Sequence, residues 1–129
     1  MTHAFVPEHL QVFAKYLLWH DFSDENYDLQ CIYRSIVNRT YLSTYLQTEE
    51  WILINGPYNN VKDYANGNIG YHAAILVALK ALKKFTIHEK YSEFLDLRVE
   101  ADYNIVDIIS YDDVKKAIDL ADEICNDLH

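Results

Sequence analysis

Only three glycines and two prolines interrupt 129 residues, and this scarcity bounds the fold more tightly than any motif. Sandwiches and barrels reverse roughly every ten residues and draw on Gly, Pro, Asn and Asp to do so. A few long helices need far fewer breaks. Half of the chain is hydrophobic, enough at this length for one core, so residues 1–129 are expected to form one all-α domain.

Apolar spacing divides the chain into five helical segments. Leu10, Phe13, Leu17 and Leu18 recur at helical intervals over 7–20, with Pro7 suited to the first turn and Glu8 to the dipole. After a polar break, where Ser23 or Asp24 can cap, Leu29, Ile32, Ile36, Val37, Tyr41 and Thr44 mark a second helix. It runs from near 25 to at least 47 and extends to 54 if the Thr48–Trp51 stretch stays helical. Asn55, Gly56 and Pro57 stop it. Residues 57–68 read as a polar loop rich in Asn and Gly, pinned by Tyr58 and Tyr64. Third and fourth helices follow over 70–85 and 87–103, with Lys80, Lys83 and Lys84 complementing the third helix's dipole. Residues 104–109 connect to a last helix that Ser110 opens with a Ser-Tyr-Asp-Asp cap. Short connections make an up-and-down antiparallel bundle the expected architecture.

Charge and composition exclude several classes. The net charge is −9, and Lys15, Arg34 and Arg39 are the only formal cations before Lys62, so broad affinity for nucleic acid is disfavoured. A local basic groove, or one completed by a partner, stays open. Cys31 and Cys125 lack any ligand spacing and read as small buried hydrophobes. The carboxylates at 112–127 read as a solvated helix face, and no metal or cofactor is expected. The N-terminus has neither a basic region nor an apolar stretch of leader length, and no apolar run is long enough for a membrane. These features point to a cytoplasmic protein. Most of the eleven tyrosines are expected at the edge of the core with hydroxyls near solvent.

One polar group stands inside the second helix. Arg34 and Asn38 share a face, Arg39 lies about 100° around from Asn38, and Ser43 follows a turn later. Set among Ile36, Val37, Tyr41 and Leu42, these groups need partners. One reading pairs a buried arginine with Asp102 or Glu100. The other makes the group a polar pocket at a dimer seam, with Arg34, Asn38, Ser43 and Tyr45 contacting phosphate or another ligand.

Three segments in order resemble one family. Residues 33–45 (Tyr33-Arg34-Ser35-Ile36-Val37-Asn38-Arg39-Thr40-Tyr41-Leu42-Ser43-Thr44-Tyr45) are similar to the Arg- and Tyr-rich second helix of HEPN domains. Gly70-Tyr71-His72-Ala73-Ala74, running into Ile75, Leu76 and Leu79, is similar to the helix that follows in that family. Arg98-Val99-Glu100-Ala101-Asp102-Tyr103, before the capped last helix, resembles its Arg-x-x-Ala-Asp-Tyr segment. The resemblance spans residues 8–128. It implies a helical bundle that forms a homodimer, placed in a prokaryotic defence or toxin–antitoxin system. A cognate antitoxin or nucleotidyltransferase would be its protein partner, and RNA the substrate of active members.

Many such domains cut RNA without metal through an Arg followed by a His after four to six residues. Imidazole supplies acid–base chemistry near neutral pH, and the guanidinium offsets charge on the phosphorane. None of Arg34, Arg39 or Arg98, the three arginines of this chain, has a His in that window. The departure favours a non-catalytic component that works through dimerisation and a partner. Two alternatives remain. One is a divergent ribonuclease in which Arg39 and His72 act together from neighbouring helices; the plainer reading of His72 is a helix-start residue bonded to nearby backbone or loop. The other is a nucleotide or small-ligand sensor built on the polar group at 34–39.

Overall fold

A computed structural model describes residues 6–20, 28–104 and 107–129. Among them the regular structure is entirely helical, with five α-helices: α1 (Pro7–Trp19), α2 (Leu29–Asn55), α3 (Tyr71–Ala81), α4 (Phe85–Tyr103) and α5 (Tyr111–Leu128). The sequence reading of an all-α bundle holds. A short 3-10 helix, Val61–Ala65, stands within the loop that follows α2.

Helix α2 takes the longer of its two expected courses. Its 27 residues span about 40 Å, and it packs against all four other helices. A helix with neighbours on every side cannot remain amphipathic, and its buried set accordingly mixes Ile36, Val37, Tyr41 and Ile52 with Thr40, Ser43, Thr44, Gln47 and Thr48. The small polar side chains let neighbours approach and find local partners. Ser43 Oγ donates to the Pro7 carbonyl at 2.7 Å, and Thr44 Oγ1 to that of Thr40 at 3.0 Å. Asp28 caps the helix, its carboxylate accepting from the Gln30 N–H at 2.8 Å. The expected caps Ser23 and Asp24 lie outside the described residues.

The other ends follow local chemistry. Ser110 and Asp113 form the anticipated reciprocal capping box at the start of α5. Helix α3 stops four residues before the anticipated boundary because Lys83 adopts φ +61°. The Lys84 N–H then reaches back to the Leu79 carbonyl and that of Lys83 to Lys80, at 2.8 and 3.1 Å, a left-handed stop usually made by glycine. In the loop, Asn66 and Gly67 take the positive φ their types allow. Gly56 has no room for a side chain, since a Cβ there would collide with the Tyr64 hydroxyl. The loop doubles the chain back, so α3 starts beside Tyr41 and Tyr45, midway along α2.

Ile36, Ile52, Ile75, Leu79, Tyr91, Phe94, Val114 and Ile124 fill the core. Polar ties fix register at its rim. Lys15 and Gln11 of α1 hold Asp122 of α5 at 2.9 and 2.6 Å. The Gln30 side-chain amide clamps the Ile109 backbone, accepting from its N–H at 2.9 Å and donating to its carbonyl at 2.7 Å. Cys125 is buried as expected, and burial pushes its thiol up to about 12. Cys31 departs from expectation and is exposed, because the α2 face it occupies borders an open groove.

Candidate functional site: two stripes on one helix

Arg34, Asn38, Tyr41 and Tyr45 recur at intervals of four, three and four, so they line one stripe of α2. The partners of this stripe are α4 and α3. Arg34 lies against the C-terminal end of α4, where the last carbonyls have no helical partner. Its guanidinium donates to the carbonyls of Ala101 at 2.8 Å, Asn104 at 3.2 Å and Glu100 at 3.4 Å, and also to that of Asp107. Asn38 Nδ2 donates to Asp102 Oδ2 at 2.9 Å. The arginine paired with Asp102 is Arg98, one turn earlier on α4, with Nε 2.8 Å from the same oxygen. This ion pair rests on proximity of charge, because the Nε–H is not aligned for a hydrogen bond.

Farther along the stripe, Tyr41 joins three elements. Its hydroxyl lies 2.8 Å from His72 Nδ1 on α3 and 2.9 Å from the Tyr91 hydroxyl on α4. The Arg98 guanidinium stands 5.4 Å from its ring centroid. Burial raises Tyr41 to about 12, against the Tyr91 hydrogen bond and the Arg98 charge, which lower it. Burial also drives Tyr91 well above the ordinary phenol value. Tyr45 is raised by burial and by the Glu49 carboxylate, to which its hydroxyl donates at 2.9 Å. His72 is lowered, by burial first and the Arg98 charge second. At neutral pH the cluster therefore holds a neutral imidazole among protonated phenols, and none of these phenols serves as a base.

The second stripe faces elsewhere. Arg39 and Ser43 are turned towards α1, where Ser43 is buried on Pro7 and Arg39 is exposed with its guanidinium 5.4 Å from the Phe13 ring centroid. Arg39 and Tyr41 are separated by about 200° around the helix, and His72 lies on the Tyr41 side. A single chain therefore does not bring Arg39 and His72 together. The arginine whose charge reaches His72 is Arg98. The imidazole bonds a tyrosine, where the plainer sequence reading had given it backbone or loop.

Of the four proposed ligand-binding residues, Arg34 and Asn38 border a common space, while Ser43 and Tyr45 do not. That space is an open groove of about 460 Å³ whose walls include Leu10, Arg34, Asn38, Arg39, Leu42 and Asp102. No family model, no curated protein and no solved structure matches this chain. The family resemblance thus rests on the three motifs quoted above.

Sequence reasoning missed two features. The Arg98–Asp102 pair was signalled by its spacing of four on a helix, the interval at which such pairs meet. The other is a second apolar stripe on α1. Val12, Tyr16 and Trp19 recur at four and three residues, are 66%, 57% and 76% exposed, and are joined by Phe13 at 43%. The Phe13 and Tyr16 rings stack at 6.3 Å.

Proposed function

We propose that this chain is a HEPN-like component of a prokaryotic defence or toxin–antitoxin system, acting in the cytoplasm, non-catalytic by itself, and working through a dimer and a protein partner. The observation that carries the dimer in this reading is the outward stripe of α1; the family placement rests on the three motifs. A helix apolar on two sides needs two covers; α2 supplies one, against the side that carries Ala14, Leu17 and Leu18, with Asp122 of α5 tied to Gln11 and Lys15. The other side is bare. Its four large side chains present on the order of 400–500 Å² of surface, more than half of the ~800 Å² each partner contributes to a standard interface.

The cover is a second copy of this chain. A molecule of net charge −9 repels itself over most of its surface, so two copies meet best where carboxylates are missing. Residues 12–19 hold none, and their one charged side chain, Lys15, is engaged by Asp122 of the same chain. The spacing 12, 16, 19 is also the seam by which helices pair. A dimer formed there leaves α3 and the 57–70 loop open to a cognate antitoxin or nucleotidyltransferase.

The ribonuclease alternative gains nothing from the site, since the guanidinium and imidazole it requires lie on opposite sides of α2. Its test is direct: tRNA and single-stranded RNA incubated with the protein in chelator are expected to stay intact. Cleavage that disappears in Arg39→Ala would overturn the non-catalytic reading. The sensor alternative has a specific observation in its favour, the groove.

A further inference from the structure

This chain has three arginines; two line the groove between α1, α2 and the end of α4, and the third touches it only through a lining carboxylate. Arg34 and Arg39 form part of its wall, and Arg98 is paired with Asp102, the single carboxylate among its lining residues. With Asp102 engaged by Arg98 and Asn38, the wall carries net positive charge on an otherwise acidic molecule.

The two lining arginines differ in what they have left to offer. Arg34 is anchored by four carbonyls, which fixes its position without neutralising its charge. Arg39 is exposed, and no carboxylate among the described residues pairs with it. Its neighbour is the Phe13 ring, and stacking on a ring leaves the in-plane N–H groups of a guanidinium unused. Ser35 adds a hydroxyl to the wall, and Leu10 and Leu42 add apolar surface. The volume, about 460 Å³, lies within the ~300–1,000 Å³ typical of small-molecule sites.

We propose that the groove binds a small organic oxyanion, a carboxylate or a phosphate monoester, with Arg39 forking onto the head group, Arg34 supplying a fixed second charge, and Leu10 and Leu42 contacting the apolar body. The acidic remainder of the surface selects against a polyanion, whose backbone would have to continue over repelling carboxylates. The site goes beyond the dimer reading and is formed by residues of one chain, with Arg39 stacked on Phe13 at the edge of the proposed dimer face.

Phenyl phosphate and benzoate, titrated in parallel into ¹⁵N-labelled protein at constant ionic strength, test it. At least one should shift the amides of Arg34, Ser35, Arg39 and Leu42 to saturation, and the one that does identifies the head group. Arg39→Gln, at an exposed position, should keep the folded spectrum and bind about tenfold more weakly or worse. Shifts that rise linearly without saturating for both probes would overturn the proposal. So would unchanged affinity in Arg39→Gln, or a single-stranded RNA oligonucleotide that binds the groove more tightly than either probe. Sedimentation reads the dimer separately, so failure of one idea is distinguishable from failure of the other.

Discussion

The Tyr41 hydroxyl has one proton and two neighbours, and that arithmetic decides how the cluster responds to pH. With His72 neutral the chain runs one of two ways: Nδ1 accepts from Tyr41 and Tyr41 from Tyr91, or Nδ1–H donates to Tyr41 and Tyr41 donates to Tyr91. Protonating the ring on both nitrogens leaves only the second arrangement and places an imidazolium near the Arg98 guanidinium. The depressed His72 pKa follows from burial and that repulsion. The sign is then fixed. An unfolded histidine takes up its proton near ~6.5 and the folded one only below that. The contribution of His72 is fully present above the unfolded value, is lost as pH falls through it, and levels off beneath the folded value. NMR titration of the His72 ring should give a midpoint below 6.5, and His72→Gln should flatten the decline of urea stability between neutral and mildly acid pH. A ring that titrates at or above the ordinary value would mean that the Tyr41–His72 contact does not form in solution.

Helix α4 ends on Arg34, and α2 is thereby locked to the segment that leads into α5. Truncating this side chain removes a donor from the Ala101 and Asp107 carbonyls, while those of Glu100 and Asn104 keep the N–H groups of Asn104 and Asp107. Arg34→Met should cost about 2–3 kcal/mol in urea denaturation and speed amide exchange around Asp107 and Ile109. Arg34→Lys should recover only part of it, for an ammonium cannot span the same carbonyls. Full stability in Arg34→Met would show that the cap is redundant. The elements themselves were legible because apolar spacing reports which residues share a face, and Pro7, Asn55–Pro57 and Ser110 mark ends chemically. Spacing does not report which neighbour a face meets. Arg34 and Asn38 were rightly placed on one face, yet nothing local says that this face meets α4 while Arg39 turns to α1. The early stop of α3 was hidden for another reason: a lysine occupies the left-handed position where glycine or asparagine would have announced it.

Taken together, α2 is a spine whose two polar stripes do different work. The Arg34–Asn38–Tyr41 stripe is tied to α3 and α4 by internal contacts while its Arg34 end still borders the groove, and Arg39 borders the same groove from the side of the bare aromatic flank of α1. The sequence showed the inner stripe of α1 through Leu10, Leu17 and Leu18, but counted with them Phe13, which the structure turns to the exposed side. The outer one, Val12, Tyr16 and Trp19, is visible only once burial distinguishes the two. On the proposed reading, the bare side of α1 is where a second copy of the chain sits. Sedimentation equilibrium, run on the intact protein and on Tyr16→Glu/Trp19→Glu, tests this most directly. The native protein should approach twice 15.2 kDa as concentration rises, and the double variant should stay at 15.2 kDa with its helical circular dichroism unchanged. A native protein that remains at the single-chain mass up to its solubility limit would contradict the reading.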